Sequence, residues 1–457
     1  MVNEIIKITQ QYQSTNKKSD RKKKGQFFTS LQSARLMAEK AAMTKPRLSI
    51  LDPGCGSALL SASLIQYCVE HNICNHFDLT LVETDSAIRT IIPRICTVIT
   101  GFVQQHHGNI HITVVTDNFI THEFENNYDV VICNPPYMKL NKKSDEANKL
   151  DYVVYGQPNL YGLFMAKALE LLNPGGRFVF ITPRSWTSGL YYKRLREVLF
   201  QELDINDIYL FQERVNVFSN EDVLQETMIT VATKSSIQTA YIIINTISAN
   251  DGSFVSQVQV PAEMIKNVGV NHNLLLPTEE KDIKILVWMS GADRSFLSAG
   301  YLFKTGPVVE FRNKDSLYLE AGKERVPMFR AANVINGHCV FPAETTKHQY
   351  VSSKAPHLLV PNYPTIFVKR ITAKEETKRI QCCMYKPYSK DPYISVENHL
   401  NYLVRTDGQP LSEEEISQIY KLLSSDMYDS YYRIMGGSTQ VNASELNAFP
   451  IIAEGDT

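Results

Sequence analysis

The 457-residue chain has no apolar run that approaches the length of a bilayer span, and its first residues lack the apolar core of a secretory leader. Membrane insertion is therefore not expected, and a cytoplasmic protein is. Eight cysteines are scattered with no C-x-x-C spacing, and Cys382-Cys383 is the sole close pair. That pattern offers neither a zinc site nor a disulfide framework, which fits a reducing compartment. An excess of one charge is also missing, since the net charge is −1. The distribution says more than the total: from Lys304 to Lys390, 15 Lys/Arg stand against 7 Asp/Glu, and acids dominate from Asp391 onward. A basic middle is compatible with a phosphate-facing surface and equally with an ordinary solvated face. Repeats and low-complexity tracts are absent.

What is present can fill cores. The hydrophobic share of 44% and charged share of 21% are ordinary for globular chains, and the length suits two domains. Residues 1–24 are polar and end in Arg21-Lys22-Lys23-Lys24, read as a frayed helix or solvated arm that could touch a nucleic-acid backbone. A helix pattern runs from Leu31 to Met43 behind a possible Ser30 cap. Strands are expected at Leu48–Asp52, Asp78–Glu83, Ile110–Val115, Tyr128–Cys133, Arg177–Thr182, Ile205–Leu210 and Thr227–Thr233. Helices fall between them, after Ala58, after Ser86, at Leu160–Leu172 and at Tyr191–Phe200. This alternation is that of a doubly wound parallel sheet. After about Ser235 the pattern changes to short strands with turn residues. Two helix starts stand out late in the chain, at Ser412 and at Asn442, where Glu445 has capping-box spacing.

The loop after the Tyr128–Cys133 strand carries Asn134-Pro135-Pro136-Tyr137. It follows the C-terminal end of a buried strand, where open α/β sheets keep their ligands. Two prolines fix φ and remove two backbone donors, so the Asn134 amide oxygen and the Pro135 carbonyl can face outward as acceptors. Tyr137 adds a flat face. Two acceptors and an aromatic face suit a planar ring with an exocyclic amine. Holding both amine hydrogens out of the ring plane frees the nitrogen lone pair for attack. Upstream, Asp52-Pro53-Gly54-Cys55-Gly56-Ser57-Ala58 joins strand to helix, a turn that lets a ligand approach the backbone. The third glycine of a dinucleotide fingerprint is missing. Glu83 closes the second strand at a distance suited to gripping ribose hydroxyls, with Asp85 as a substitute; either acid could instead cap the helix from Ser86. Asp117 and Phe119 close the third strand and could bind and cover an adenine ring, or serve as loop cap and packing.

The order Gln26-Phe27-Phe28-Thr29, Asp52-Pro53-Gly54-Cys55-Gly56, Glu83, Asp117 and Asn134-Pro135-Pro136-Tyr137 resembles the γ class of DNA adenine-N6 methyltransferases of bacterial restriction–modification, the TaqI- and PstI-like enzymes. Asn159-Leu160-Tyr161-Gly162-Leu163-Phe164 and Pro174-Gly175-Gly176 extend the likeness, which covers most of the first 235 residues. It implies S-adenosyl-L-methionine as methyl donor and an adenine flipped out of double-stranded DNA as acceptor, with no metal. Thr29 would close over the methionine end of the cofactor. Asp52, Gly54 and Gly56 would cradle its amino-acid part, Glu83 its ribose, and Asp117 and Phe119 its adenine. Asn134 and Pro135 would grip the target amine, with Tyr137 stacked on the base and Phe218 on its opposite face. Many relatives carry Gly where this chain has Ala58, a change that φ < 0 would accommodate.

The C-terminal pieces Thr305-Gly306-Pro307-Val308-Val309, Phe367-Val368-Lys369-Arg370-Ile371 and Gly436-Gly437-Ser438-Thr439-Gln440-Val441-Asn442 resemble target-recognition regions, with Lys369 and Arg370 as DNA contacts, to phosphate before base. The resulting expectation is a Rossmann-like class I methyltransferase domain over 1–245, a connecting region over 246–295 and an α+β target-recognition domain over 296–457. A separate cognate endonuclease is an expected partner, and a fused one is not. Protein-glutamine and RNA-amine methyltransferases share the Asn-Pro-Pro-Tyr loop and form the alternative, as does N4-cytosine transfer, which more often has Ser in place of Asn134. A specificity protein with a dead catalytic half is disfavoured by the intact loop, Glu83 and Gly turn.

Overall fold

The computed structural model describes residues 1–15, 29–211, 226–248, 253–373, 376–436 and 440–451. The chain divides into two compact units, one of residues 1–268 and 272–279, the other of 269–271 and 280–457.

The first unit is built on nine strands: β1 (Leu48–Pro53), β2 (His76–Val82), β3 (Asn109–Val115), β4 (Tyr128–Cys133), β5 (Leu172–Pro183), β6 (Leu203–Phe211), β7 (Thr227–Lys234), β8 (Tyr241–Ile247) and β9 (Phe254–Pro261). Their order is β3-β2-β1-β4-β5-β7-β6-β8-β9. Strands β1 to β5 run parallel, and β7 is antiparallel to both β5 and β6. The longer helices are α1 (Val2–Thr15), α2 (Leu31–Ala41), α3 (Leu59–Glu70), α4 (Ile92–Gln105), α5 (Leu160–Leu171) and α6 (Lys193–Glu202).

Side chains on a strand alternate between faces. One sheet face, with Ile50, Leu79, Ile132, Val179 and Ile229, forms a single buried cluster with residues of α1 to α4. Helices α5 and α6 pack against each other and against β5 and β6, outside that cluster. Strand β4 is buried along its whole length, as expected of a central parallel strand covered on both sides. Ser30 caps α2 by accepting the Ser33 N–H at 3.1 Å.

Three differences from the sequence reading have local causes. The Asn173-Pro174-Gly175-Gly176 stretch does not separate helix from strand. Strand β5 starts at Leu172, pairs with Tyr128, and resumes at Arg177 after an irregularity that Gly175 accommodates at φ +76°. The N-terminal stretch is not a solvated arm over its first fifteen residues, because Val2, Ile5, Ile8 and Tyr12 recur at helical spacing and bury one face of α1. The basic run at 21–24 lies outside the described residues. Finally, the expected domain end at 245 falls within β8. Strands β8 and β9 continue the sheet through β6, so the first unit extends to Glu279.

The second unit has two main sheets. One orders Tyr301–Thr305, Leu400–Arg405, Thr365–Lys369, Cys382–Tyr385, His338–Cys339 and Val334–Ile335; the other orders Leu317–Tyr318, Tyr350–Ser352, Arg325–Phe329, Tyr393–Val396 and Val360–Pro361. Helices Glu280–Ser290, Glu413–Ser424 and Asp426–Met435 complete an α+β body. Asn442 with Glu445 forms the reciprocal cap its spacing implied, and Ser412 with Glu415 forms another. Among the described residues no helix is long and apolar enough to cross a membrane.

Candidate active site

Strands β1 and β4 are parallel neighbours at the centre of the sheet, and the order reverses between them. A crevice opens beyond their C-terminal ends at such a switch point. Here it is a cavity of about 800 Å³ lined from the Gly turn, the ends of β2 and β3, the loop after β4, α1 and α5.

The Gly turn explains part of this space. Gly54 and Gly56 adopt φ +67° and +55°, where L side chains are strained. A Cβ on Gly54 would lie 3.5 Å from Phe164 Cε1 and 3.9 Å from Pro136 Cδ, so the turn's backbone runs close to both the loop after β4 and α5. Ala58, the residue before α3, is itself left-handed at φ +52°. The condition under which its methyl group would sit without strain is not met, and the turn carries about 1 kcal/mol of backbone strain.

The acids are held by backbone amides. Glu83 accepts from Gly56 N at 3.0 Å and from Asp85 N at 2.8 Å, one bond to each oxygen. It thereby ties the end of β2 to the Gly turn, and burial pushes its carboxyl up. Asp85 caps the single turn Ser86–Arg89 by accepting from Ala87 N at 2.8 Å. Asp52 accepts from Ser61 Oγ at 2.7 Å and from Ser61 N at 3.3 Å, within the first turn of α3. Its burial outweighs those bonds and pushes it up to about 7.

On the loop after β4, Asn134 Nδ2 donates to Thr29 Oγ1 at 3.0 Å. The Tyr137 hydroxyl lies 3.0 Å from both Asn134 Oδ1 and the Ile181 carbonyl oxygen. Burial pushes that hydroxyl up, so it stays a neutral donor. The Tyr137 ring stands edge-on to Tyr161, with centroids 6.1 Å apart. Among the described residues no hydrogen bond engages the Pro135 carbonyl oxygen.

Of the residues singled out from sequence, Thr29, Asp52, Gly54, Gly56, Glu83, Phe119 and Asn134 line this one cavity. Pro135 and Tyr137 belong to the same loop behind its surface. Asp117 does not line it; its side chain is 69% exposed and faces His122 Nδ1 at 3.1 Å. Asn118 does, with its amide fixed by Glu146 Oε1 at 2.8 Å and Ile120 N at 2.9 Å. Phe119 is buried and tilts against Phe164 at 4.8 Å. Phe218 and the Gln26–Phe28 segment lie outside the described residues. In the second unit, Lys369 Nζ donates to Gln381 Oε1 at 2.8 Å, and Arg370 donates to Asn398 O and Gln440 Oε1. These three acceptors are neutral.

Sequence reasoning missed Asn118, Phe164 and a stripe of α1. Phe164 had a signal: it lies four residues from Leu160, on the same face of a helix that begins beside the loop.

This strand order, with its antiparallel seventh strand and a Gly turn beside an acidic strand end, is the class I S-adenosylmethionine-dependent methyltransferase fold. The cavity is within the size of small-molecule sites and is lined by the acids Asp52, Glu83 and Asp85 and the aromatics Phe119 and Phe164. Residues 67–218 match the Eco57I restriction-modification methylase family. It is 28% identical to the Type II methyltransferase M.PstI of Providencia stuartii, across 97% of this chain and 90% of that protein. It is also 28% identical to M.BsuBI of Bacillus subtilis, across 92% and 86%. Among solved structures, a nuclease-deletion mutant of the Type ISP restriction-modification enzyme LlaGI shares the fold with a TM-score of 0.56 at 12% identity, over 94% of this chain and 53% of that one.

Proposed function

We propose that the protein is a site-specific, adenine-N6 DNA methyltransferase that uses S-adenosyl-L-methionine. The observation that carries this reading is the single cavity shared by the Gly54–Gly56 turn, Glu83 and Asn134. The cofactor supplies an activated methyl group on a sulfonium centre. Glu83 receives the ribose hydroxyls on the lone pairs its backbone bonds leave over. Asp52 faces the amino-acid part, and Asn118, Phe119 and Phe164 flank the adenine ring, with Asp117 outside that contact. Asn134 Oδ1 and the Pro135 carbonyl each take one hydrogen of the target amine. Thr29 and Tyr137 fix the Asn134 amide, so its oxygen needs little reorganisation when charge develops on the nitrogen.

A duplex hides the target amine, so the base must leave the stack at a cost of a few kcal/mol. Contacts to DNA offset this. Tyr137 supplies one stacking face and Phe218 the other, as in the family resemblance. The second unit reads sequence in the major groove, where adenine and guanine edges differ. Lys369 and Arg370 supply phosphate contacts, and a separate endonuclease is the natural partner of such an enzyme. Incubation with labelled S-adenosylmethionine and plasmid DNA tests the reading. Label should appear as N6-methyladenine within one short sequence; label in cytosine, or only in RNA or protein glutamine, overturns it.

A further inference from the structure

Four residues of α1 line the cavity: Ile6, Thr9, Gln10 and Gln13. Their spacing of i, i+3, i+4 and i+7 is one face of a helix. The neighbouring face, with Val2, Ile5, Ile8 and Tyr12, is buried against the protein. The helix is fixed at both ends. Val2 N donates to Gln66 Oε1 of α3 at 2.9 Å, and Tyr12 packs with Ile88, just beyond the β2 loop. A helix that only covered the sheet would need the apolar face alone; this one turns a second, polar stripe into the pocket.

The chemistry of that stripe is specific. The Thr9 hydroxyl is engaged by its own helix, donating to the Ile5 carbonyl at 2.8 Å. Gln10 and Gln13 make no side-chain hydrogen bond among the described residues. Each amide offers both a donor and an acceptor. Because Tyr12 packs with Ile88, the C-terminal half of α1 lies beside the Asp85–Ile88 segment, which follows Glu83 in the chain and lines the same cavity.

We infer that α1 is a wall of the nucleoside half of the pocket, and that Gln10 and Gln13 hydrogen-bond the ribose or adenine of the cofactor. The inference rests on the proposed function and adds a binding element that it does not contain. The contact is of amide to hydroxyl or ring nitrogen, so it recognises the nucleoside and not the amino-acid end.

The test titrates the full-length protein by calorimetry with two probes, S-adenosylhomocysteine and 5′-deoxy-5′-methylthioadenosine. The second lacks the amino-acid part. Gln10→Ala and Gln13→Ala should each weaken both probes about fivefold, the amount expected for one neutral hydrogen bond. Lys7→Ala, on the exposed face, should leave both unchanged. Thermal melts without ligand check that α1 still packs in each variant. Wild-type affinity in the double variant overturns the inference, as does a loss confined to S-adenosylhomocysteine, which would put α1 at the other end. No saturable binding by the wild type overturns the proposed function itself, a result distinct from either.

Discussion

The two units of this chain use strands in opposite ways. In the first, nine strands of six to twelve residues lie in one sheet, and the parallel ones send every following loop to the same edge. Residues as distant as Thr29 and Asn134 therefore come within 3.0 Å. In the second, strands are two to six residues long and split among small sheets. Several of its cations are matched locally by acids, as Lys354 is by Glu324, Lys378 by Asp426 and Lys386 by Glu413. The difference teaches that chemistry can be located by a four-residue motif when topology converges on it. A unit built from short strands has no such focus, and its charge must be read side chain by side chain.

The largest expected effect breaks the first half of that contrast. Asn134→Ala removes the acceptor at the focus and should lower methyl transfer by at least about 100-fold, the scale of losing one preorganised polar group. Affinity for S-adenosylhomocysteine should stay within a few-fold, since on the proposed roles Asn134 meets the target amine and not the cofactor. Activity retained at the wild-type level would show that the convergence is not where the chemistry occurs.

The second half is probed by charge. Lys369→Gln with Arg370→Gln should weaken DNA binding and flatten its salt dependence by about 0.9 in log–log slope for each phosphate no longer neutralised. A binding series from about 50 to 200 mM salt measures it. An unchanged slope would remove both residues from the DNA surface.

A third test concerns stability. Burial raises the Asp52 carboxyl to about 7 in the fold, against about 4 in an unfolded chain. Below that lower value both states are protonated and the fold has its full stability. Between the two values only the unfolded state ionises, so stability falls by up to about 1.4 kcal/mol per pH unit. Above the higher value the loss is constant. Asp52→Asn should thus gain on the wild type as pH rises from about 4 to 8 in chemical denaturation. Parallel curves would mean that the carboxyl ionises as easily inside as outside.

The smallest effect is at Ala58. Its methyl group is fully buried, and removing it ordinarily costs about 0.8 kcal/mol. The left-handed φ offsets this by about 1 kcal/mol. Ala58→Gly should therefore sit within about 1 kcal/mol of the wild type, whereas Ala62→Gly, in the body of α3, should lose stability clearly. Equal losses at both positions would contradict the strained turn.

Much of the first unit was legible because parallel strands read as apolar runs, and three of them end in or beside a polar residue that lines the cavity: Asp52, Glu83 and Asn134. The end of that unit was not. Strands β8 and β9 sit at the sheet margin, with β9 half exposed, so their pattern looked like that of the short strands beyond them. The α1 stripe was hidden for another reason. Polar residues facing a cavity have the same letters as polar residues facing water, and only the buried face beside them shows which they are. Asp117 illustrates the converse: an acid at a strand end was chosen over the amide next to it, although a turn decides which of two consecutive side chains faces inward.

The position of the Tyr137 hydroxyl has a further consequence. Asn134 Oδ1 faces that hydroxyl at 3.0 Å, and in the proposed chemistry the target nitrogen meets one acceptor from this amide and one from the Pro135 carbonyl. On the proposed roles, an unmodified amine fills both. A monomethylated amine has one hydrogen left and leaves an acceptor idle, which costs about 1–3 kcal/mol in a site closed to water. The enzyme should therefore stop after a single alkylation and let its product go more readily than it held the starting base.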